Sequence, residues 1–191
     1  MVPDKLERQL EYLSVTNADV VSCIFDTDGL EFKHQWDGLP SSKHLELRDF
    51  FPLNYVSTQC ILFKRDVLLD EQFKVSQQRL QDWELMIRVV VKYKVYLETV
   101  PRVLCCMSGV RISSDSAKLR SGLVGIMQTI SELKISKSEK REYLRQIILR
   151  LGGRKRKTYF SIFSCLLVFP IPNRVITKVA LALLPKSDCH V

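Results

Sequence analysis

Leu6, Leu10 and Leu13 recur at spacings of four and three behind Pro3 and Asp4, a pair suited to a helix's first turn. They predict a short amphipathic helix with these leucines on one face. Val20 to Phe25 is a brief apolar run bounded by Asn17-Ala-Asp19 and Asp26-Thr-Asp28-Gly29, as expected of a strand covered on both sides of a sheet. Phe32, His34 and Trp36 alternate with polar neighbours, predicting a half-exposed strand, and residues 30 to 53 read as irregular and accessible. Tyr55 to Phe63 is the next strand, with the polar Ser57, Thr58 and Gln59 in its first half. A loop through residues 69 to 80 leads to a helix from Asp82 to Lys94, marked by Leu85, Ile87, Val90 and Val91. Val95 to Leu97 and Val100 to Met107 read as two short strands, and residues 116 to 150 carry helical periodicity without a repeat. Strands alternating with helices predict an α/β body.

Length and composition narrow the class. A chain of 191 residues, 46% hydrophobic, suits one packed domain with an appendage. The net charge of +8 suggests a nucleic-acid binder until its distribution is considered. From residue 151 onward seven basic residues face one acid, Asp188, so +6 of the total belongs to the tail and residues 1 to 150 carry only +2. The six cysteines form no CxxC pair, and His34, His44 and His190 lie at no ligand spacing from any of them. They read as reduced thiols in a protein on the cytoplasmic side, and no zinc site is indicated. Met1 leads straight into the charged stretch Asp4, Lys5, Glu7, Arg8 and not into a signal peptide. The apolar run Tyr159 to Phe169 is about half the ~20 residues a membrane-crossing helix needs.

Four segments, taken in order, resemble glycosyltransferase family 2, the GT-A fold: Pro3-Asp-Lys-Leu-Glu-Arg-Gln-Leu10, Asn54-Tyr-Val-Ser-Thr-Gln-Cys60, Gln81-Asp-Trp-Glu-Leu-Met-Ile-Arg88, and the region of Arg111-Ile-Ser-Ser114. The Asp82 segment is the specific one, and the resemblance covers residues 2 to 115. It implies a partial GT-A sheet with covering helices over residues 1–115, followed by a helical region over 116–191. It also implies sugar transfer from a nucleotide-sugar donor to a glycan or lipid-linked acceptor in surface polysaccharide biosynthesis. By the same resemblance Asp82 is the base that takes the acceptor hydroxyl's proton, with Glu84 second, and Ser57, Thr58 and Gln59 line the acceptor cleft. On local pattern alone Asp82 also suits the start of a helix, Ser57 to Gln59 suit an ordinary edge strand, and Arg88 suits an intrahelical pair with Glu84.

The family's Asp-x-Asp motif, which holds Mg²⁺ or Mn²⁺, would precede Pro3. The resemblance therefore implies an acceptor-side portion that retains no metal site and does not turn over sugar nucleotides alone. A Gly-Gly-Phe-Asp-Glu stretch common in the family is here Glu71-Gln-Phe-Lys-Val75, and its frequent histidine after the strand near residue 105 has no counterpart. The competing reading is a non-catalytic interaction module. In the tail, Arg154, Lys155, Arg156 and Lys157 stand beside Phe160 and Phe163, which suits peripheral contact with an anionic membrane on its inner face. The same tail suits helices packed onto the body. Four basic residues beside an apolar stretch lack the broad basic face that nucleic acid requires.

Overall fold

The computed structural model describes residues 3–27, 42–51, 54, 56–105 and 116–151. Helix α1 (Lys5–Thr16) leads into β1 (Val20–Thr27), followed by β2 (Ser42–Leu45), a 3-10 turn at Leu47–Phe50, a second at Thr58–Cys60, and β3 (Ile61–Phe63). Then come α2 (Arg65–Asp70), α3 (Gln81–Lys92), β4 (Val95–Cys105), α4 (Ser116–Glu132) and α5 (Lys137–Leu151). The four strands form one mixed sheet in the order β2-β4-β1-β3, with β1 and β4 parallel at its centre and β2 and β3 antiparallel at the edges. This is the α/β architecture expected from the sequence.

β1 is central because Val20, Val21, Cys23 and Ile24 are all apolar and all buried, so it is covered from both sides. The main core joins Val20, Ile24, Val95 and Leu97 of the sheet to Trp83, Leu85, Met86, Ile87 and Val89 of α3. Leu123, Ile126 and Ile130 of α4 and Leu144 and Ile147 of α5 complete it. Helix α4 comes close to the loop before α3: Gln77 donates from Nε2 to the Gly122 carbonyl at 2.8 Å. A Cβ at Gly122 would stand 2.5 Å from the Arg79 carbonyl oxygen, so this approach requires glycine. Among the described residues no helix is long and apolar enough to cross a membrane.

Several elements differ from the pattern reading. Helix α1 forms, but it turns its leucines outward: Leu6 and Leu10 are 51% and 59% exposed, while Lys5 and Gln9 are buried. Gln9 explains the inversion, because its Nε2 donates to the carbonyls of Cys60 (2.7 Å) and Val21 (3.3 Å). These two backbone acceptors hold the polar face of α1 against the sheet.

The expected strand from Tyr55 is a strand only over Ile61–Phe63, since Thr58–Cys60 turns as a 3-10 helix. Val95–Cys105 is one strand and not two, and register shifts beside Ile24 absorb the irregularity. β2 and the Leu47–Phe50 turn lie in the stretch that reads as irregular, and α2 begins between the expected strand and the expected loop. The helical tract after residue 116 is broken in two between α4 and α5. The half-exposed strand expected at Phe32 to Trp36 and the Arg111 to Ser114 segment lie outside the described residues, as do Arg154, Lys155, Arg156, Lys157, Phe160 and Phe163.

Candidate active site

Three pieces of chain converge at the start of α3. The first is the turn into the helix, where Leu80 takes a left-handed conformation at φ 62°. A branched apolar residue does not adopt that conformation freely, so the surrounding structure holds it there. Trp83 supplies one restraint: its ring is buried, and its Nε1 donates to the Phe50 carbonyl at 2.9 Å. This bond locks the first turn of α3 onto the Leu47–Phe50 turn.

Asp82 follows as the second residue of the helix, half-buried, and no side chain caps α3 at Leu80. The Asp82 carboxylate stays within the first turn, where Oδ1 accepts the Trp83 amide at 2.8 Å. Oδ1 also accepts Nδ2 of Asn54 at 3.3 Å, and the Thr58 amide donates to the same carboxylate. Burial is the largest influence on this group and pushes the Asp82 carboxyl above the usual carboxylate range, with the amides and Asn54 pulling the other way. A carboxylate held closer to neutrality is a better proton acceptor than a free surface aspartate.

The second piece is Ser57–Gln59. Ser57 is half-buried, while Thr58 and Gln59 are exposed. Ser57 Oγ donates to Gln59 Oε1 at 2.6 Å, and Gln59 Nε2 reaches Cys105 Sγ at 3.2 Å. The structure thus ties Thr58 to Asp82 through its amide, with Ser57 and Gln59 on either side of it in the chain and bonded to each other. The third piece is Asn54, which sequence reasoning did not single out. Its only signal was its place at the head of the Asn54–Cys60 segment.

Glu84 does not join this group. It is fully buried, and its Oε1 accepts Arg88 Nε at 2.9 Å and Thr129 Oγ1 at 2.6 Å, with Lys74 Nζ at 3.0 Å. Its Oε2 accepts Arg88 Nη2 at 3.1 Å. The reading of Glu84 as a second base gives way to a structural one, because both its oxygens are engaged inside the protein. The intrahelical Arg88–Glu84 pair is present, and Arg88 also pairs with Glu71.

Cys23 and Cys60 are buried and Cys105 is half-buried, all as free thiols. Among the described residues no group of three His, Cys, Asp or Glu side chains is arranged to hold a metal ion.

No family model matches the chain, and no curated protein matches it. Solved structures do. S. aureus TarS 1-349 in complex with UDP-GlcNAc superposes with a TM-score of 0.61 at 14% identity, over 83% of this chain and 48% of that one. The same protein in complex with UDP gives 0.56 at 13%, over 82% and 45%, and TarS 1-349 alone gives 0.59 at 11%, over 95% and 52%. The chain spans about half the length of these structures and shares their GT-A-like α/β fold.

Proposed function

We propose that this protein is a family 2-type glycosyltransferase that moves a sugar from a nucleotide-sugar donor to a growing surface glycan. In this reading residues 1–115 form the acceptor side of the active site. The observation that carries it is the half-buried Asp82 carboxylate, raised toward neutrality, set beside Ser57, Thr58 and Gln59 on a fold shared with a UDP-GlcNAc-bound protein. Asp82 takes the proton of the acceptor hydroxyl as that oxygen bonds to the anomeric carbon. The bond from that carbon to the nucleotide diphosphate breaks, and the diphosphate leaves with the electron pair. Ser57, Thr58 and Gln59 hydrogen-bond the acceptor sugar's hydroxyls. The complete family enzyme is expected to use Mg²⁺ or Mn²⁺ to offset the diphosphate charge.

The test is incorporation of labelled sugar from UDP-GlcNAc and other UDP-sugars into membrane glycan, compared between cells with and without the gene. Incorporation that depends on the gene is expected. Unchanged incorporation from every donor would leave the interaction-module reading in its place.

The basic, aromatic tail, with Arg154, Lys155, Arg156, Lys157, Phe160 and Phe163, holds the protein on the inner face of the cell membrane near lipid-linked acceptors. With about 1 kcal/mol from each basic residue near anionic headgroups, the protein should sediment with phosphatidylglycerol vesicles at low salt and come off at high salt. Failure to sediment with such vesicles at low salt would remove the membrane from this reading.

A further inference from the structure

Asp82 is held by donors of two kinds. The amides of Trp83 and Thr58 come with the backbone, so their contribution follows from the fold itself. Asn54 is different, because its contact is made by a side chain. Its carboxamide is used at both ends: Oδ1 accepts the Val56 amide at 3.2 Å, and Nδ2 donates to Asp82 Oδ1 at 3.3 Å. The first bond fixes the orientation of the second, since an amide whose oxygen faces Val56 must turn its NH₂ toward Asp82.

We propose that Asn54 is the positioning residue for the Asp82 base, its carboxamide setting the carboxylate's rotamer and tying the Ser57–Gln59 strip to the first turn of α3. This rests on the reading of Asp82 given above. Asn54 touches no reacting atom; it acts through Asp82. A donor to the ionised carboxylate favours that form, opposing the burial that favours the neutral one. It therefore keeps the base both aimed and available at neutral pH.

The test uses Asn54→Leu, which keeps the size and removes both polar ends, and Asn54→Ser, which keeps a shorter donor. The Asp82 carboxyl titration is followed by NMR on the ¹³C-aspartate-labelled protein, with Asp82→Asn identifying the resonance. In Asn54→Leu the titration should move to higher pH, and gene-dependent sugar incorporation into membrane glycan should fall about tenfold. Asn54→Ser should lie between. A merely structural role would not move the titration of this one carboxyl.

An unshifted Asp82 titration together with wild-type sugar incorporation in folded Asn54→Leu overturns the proposal. If that variant fails to fold, the same reading on Asn54→Ser decides it. Full activity of Asp82→Asn would instead sink the reading of the base, while the titration would still report on the Asn54 contact.

Discussion

Asp82→Asn should lower sugar transfer by about 10²- to 10⁴-fold while leaving the protein as stable at neutral pH as the wild type, or more so. The two halves of this result come from the same geometry. Asparagine keeps the Oδ1 that accepts the Trp83 and Asn54 donors, but it cannot take a proton from an acceptor hydroxyl. Burial raises the Asp82 carboxyl above its unfolded value, so the folded chain holds this proton more tightly than the unfolded chain does. The stability that follows is fully present below the unfolded value near 3.8 and is lost as pH rises through the raised folded value. At pH 7 the ionised group is therefore a cost, which the asparagine removes. Activity runs the other way, rising as the carboxyl ionises. Thermal unfolding of both proteins at pH 7, beside a transfer assay across pH, checks both halves. A variant that lost activity and melted well below the wild type would indicate that Asp82 serves the helix and not the reaction.

Glu84→Ala should destabilise the fold by about 3–5 kcal/mol, the range for breaking a buried ion pair by removing one partner. Arg88, Lys74 and Thr129 all direct donors at this carboxylate, and Arg88 is only 15% exposed, so it would lose a partner where water cannot replace it. For a chain of this size that cost lowers the melting temperature by roughly 10 °C, measurable by calorimetry. Adding Arg88→Met to Glu84→Leu should recover part of the loss, because the guanidinium that faced Glu84 is then replaced by an apolar side chain. A shift of only a degree or two in the single variant would show the network to be worth no more than surface pairs.

Both predictions grow from the Gln81–Arg88 segment, the part of the chain most legible in the sequence. Helix α3 has a strong apolar period, and six of its twelve residues are buried, so pattern and packing agree. β1 was legible for a similar reason: a short run, apolar but for Ser22 and bounded by turn residues, fits a strand covered on both faces.

Helix α1 forms as its pattern predicts, but a polar side chain decides which face meets the sheet. Gln9 satisfies two backbone carbonyls of the sheet, and that need depends on residues as distant as Cys60. The Thr58–Cys60 turn is similar, because its Thr58 amide serves Asp82, twenty-four residues away in sequence. Glu84 shows the limit for the site itself. A second carboxylate two residues from Asp82 looks like a partner in catalysis, and only the burial of α3 against α4 shows that it faces inward.

The parallel pairing of β1 with β4 bears on how the chain is made. Val20 lies opposite Val95, and the Lys94 amide donates to Asp19 Oδ2 across 75 residues of sequence. Such long-range pairing slows folding, because a large loop must close before the contact forms. At a synthesis rate of about 5–20 residues per second, β1 leaves the ribosome roughly 4–15 s before its central neighbour exists. During that interval Val20 and Val21 have β3 to pair with, Ile24 lacks its β4 partner, and no α3 covers them. The contacts open to β1 before β4 is made are its pairing with β3 and the bonds from Gln9 to Val21 and Cys60, which hold α1 over it.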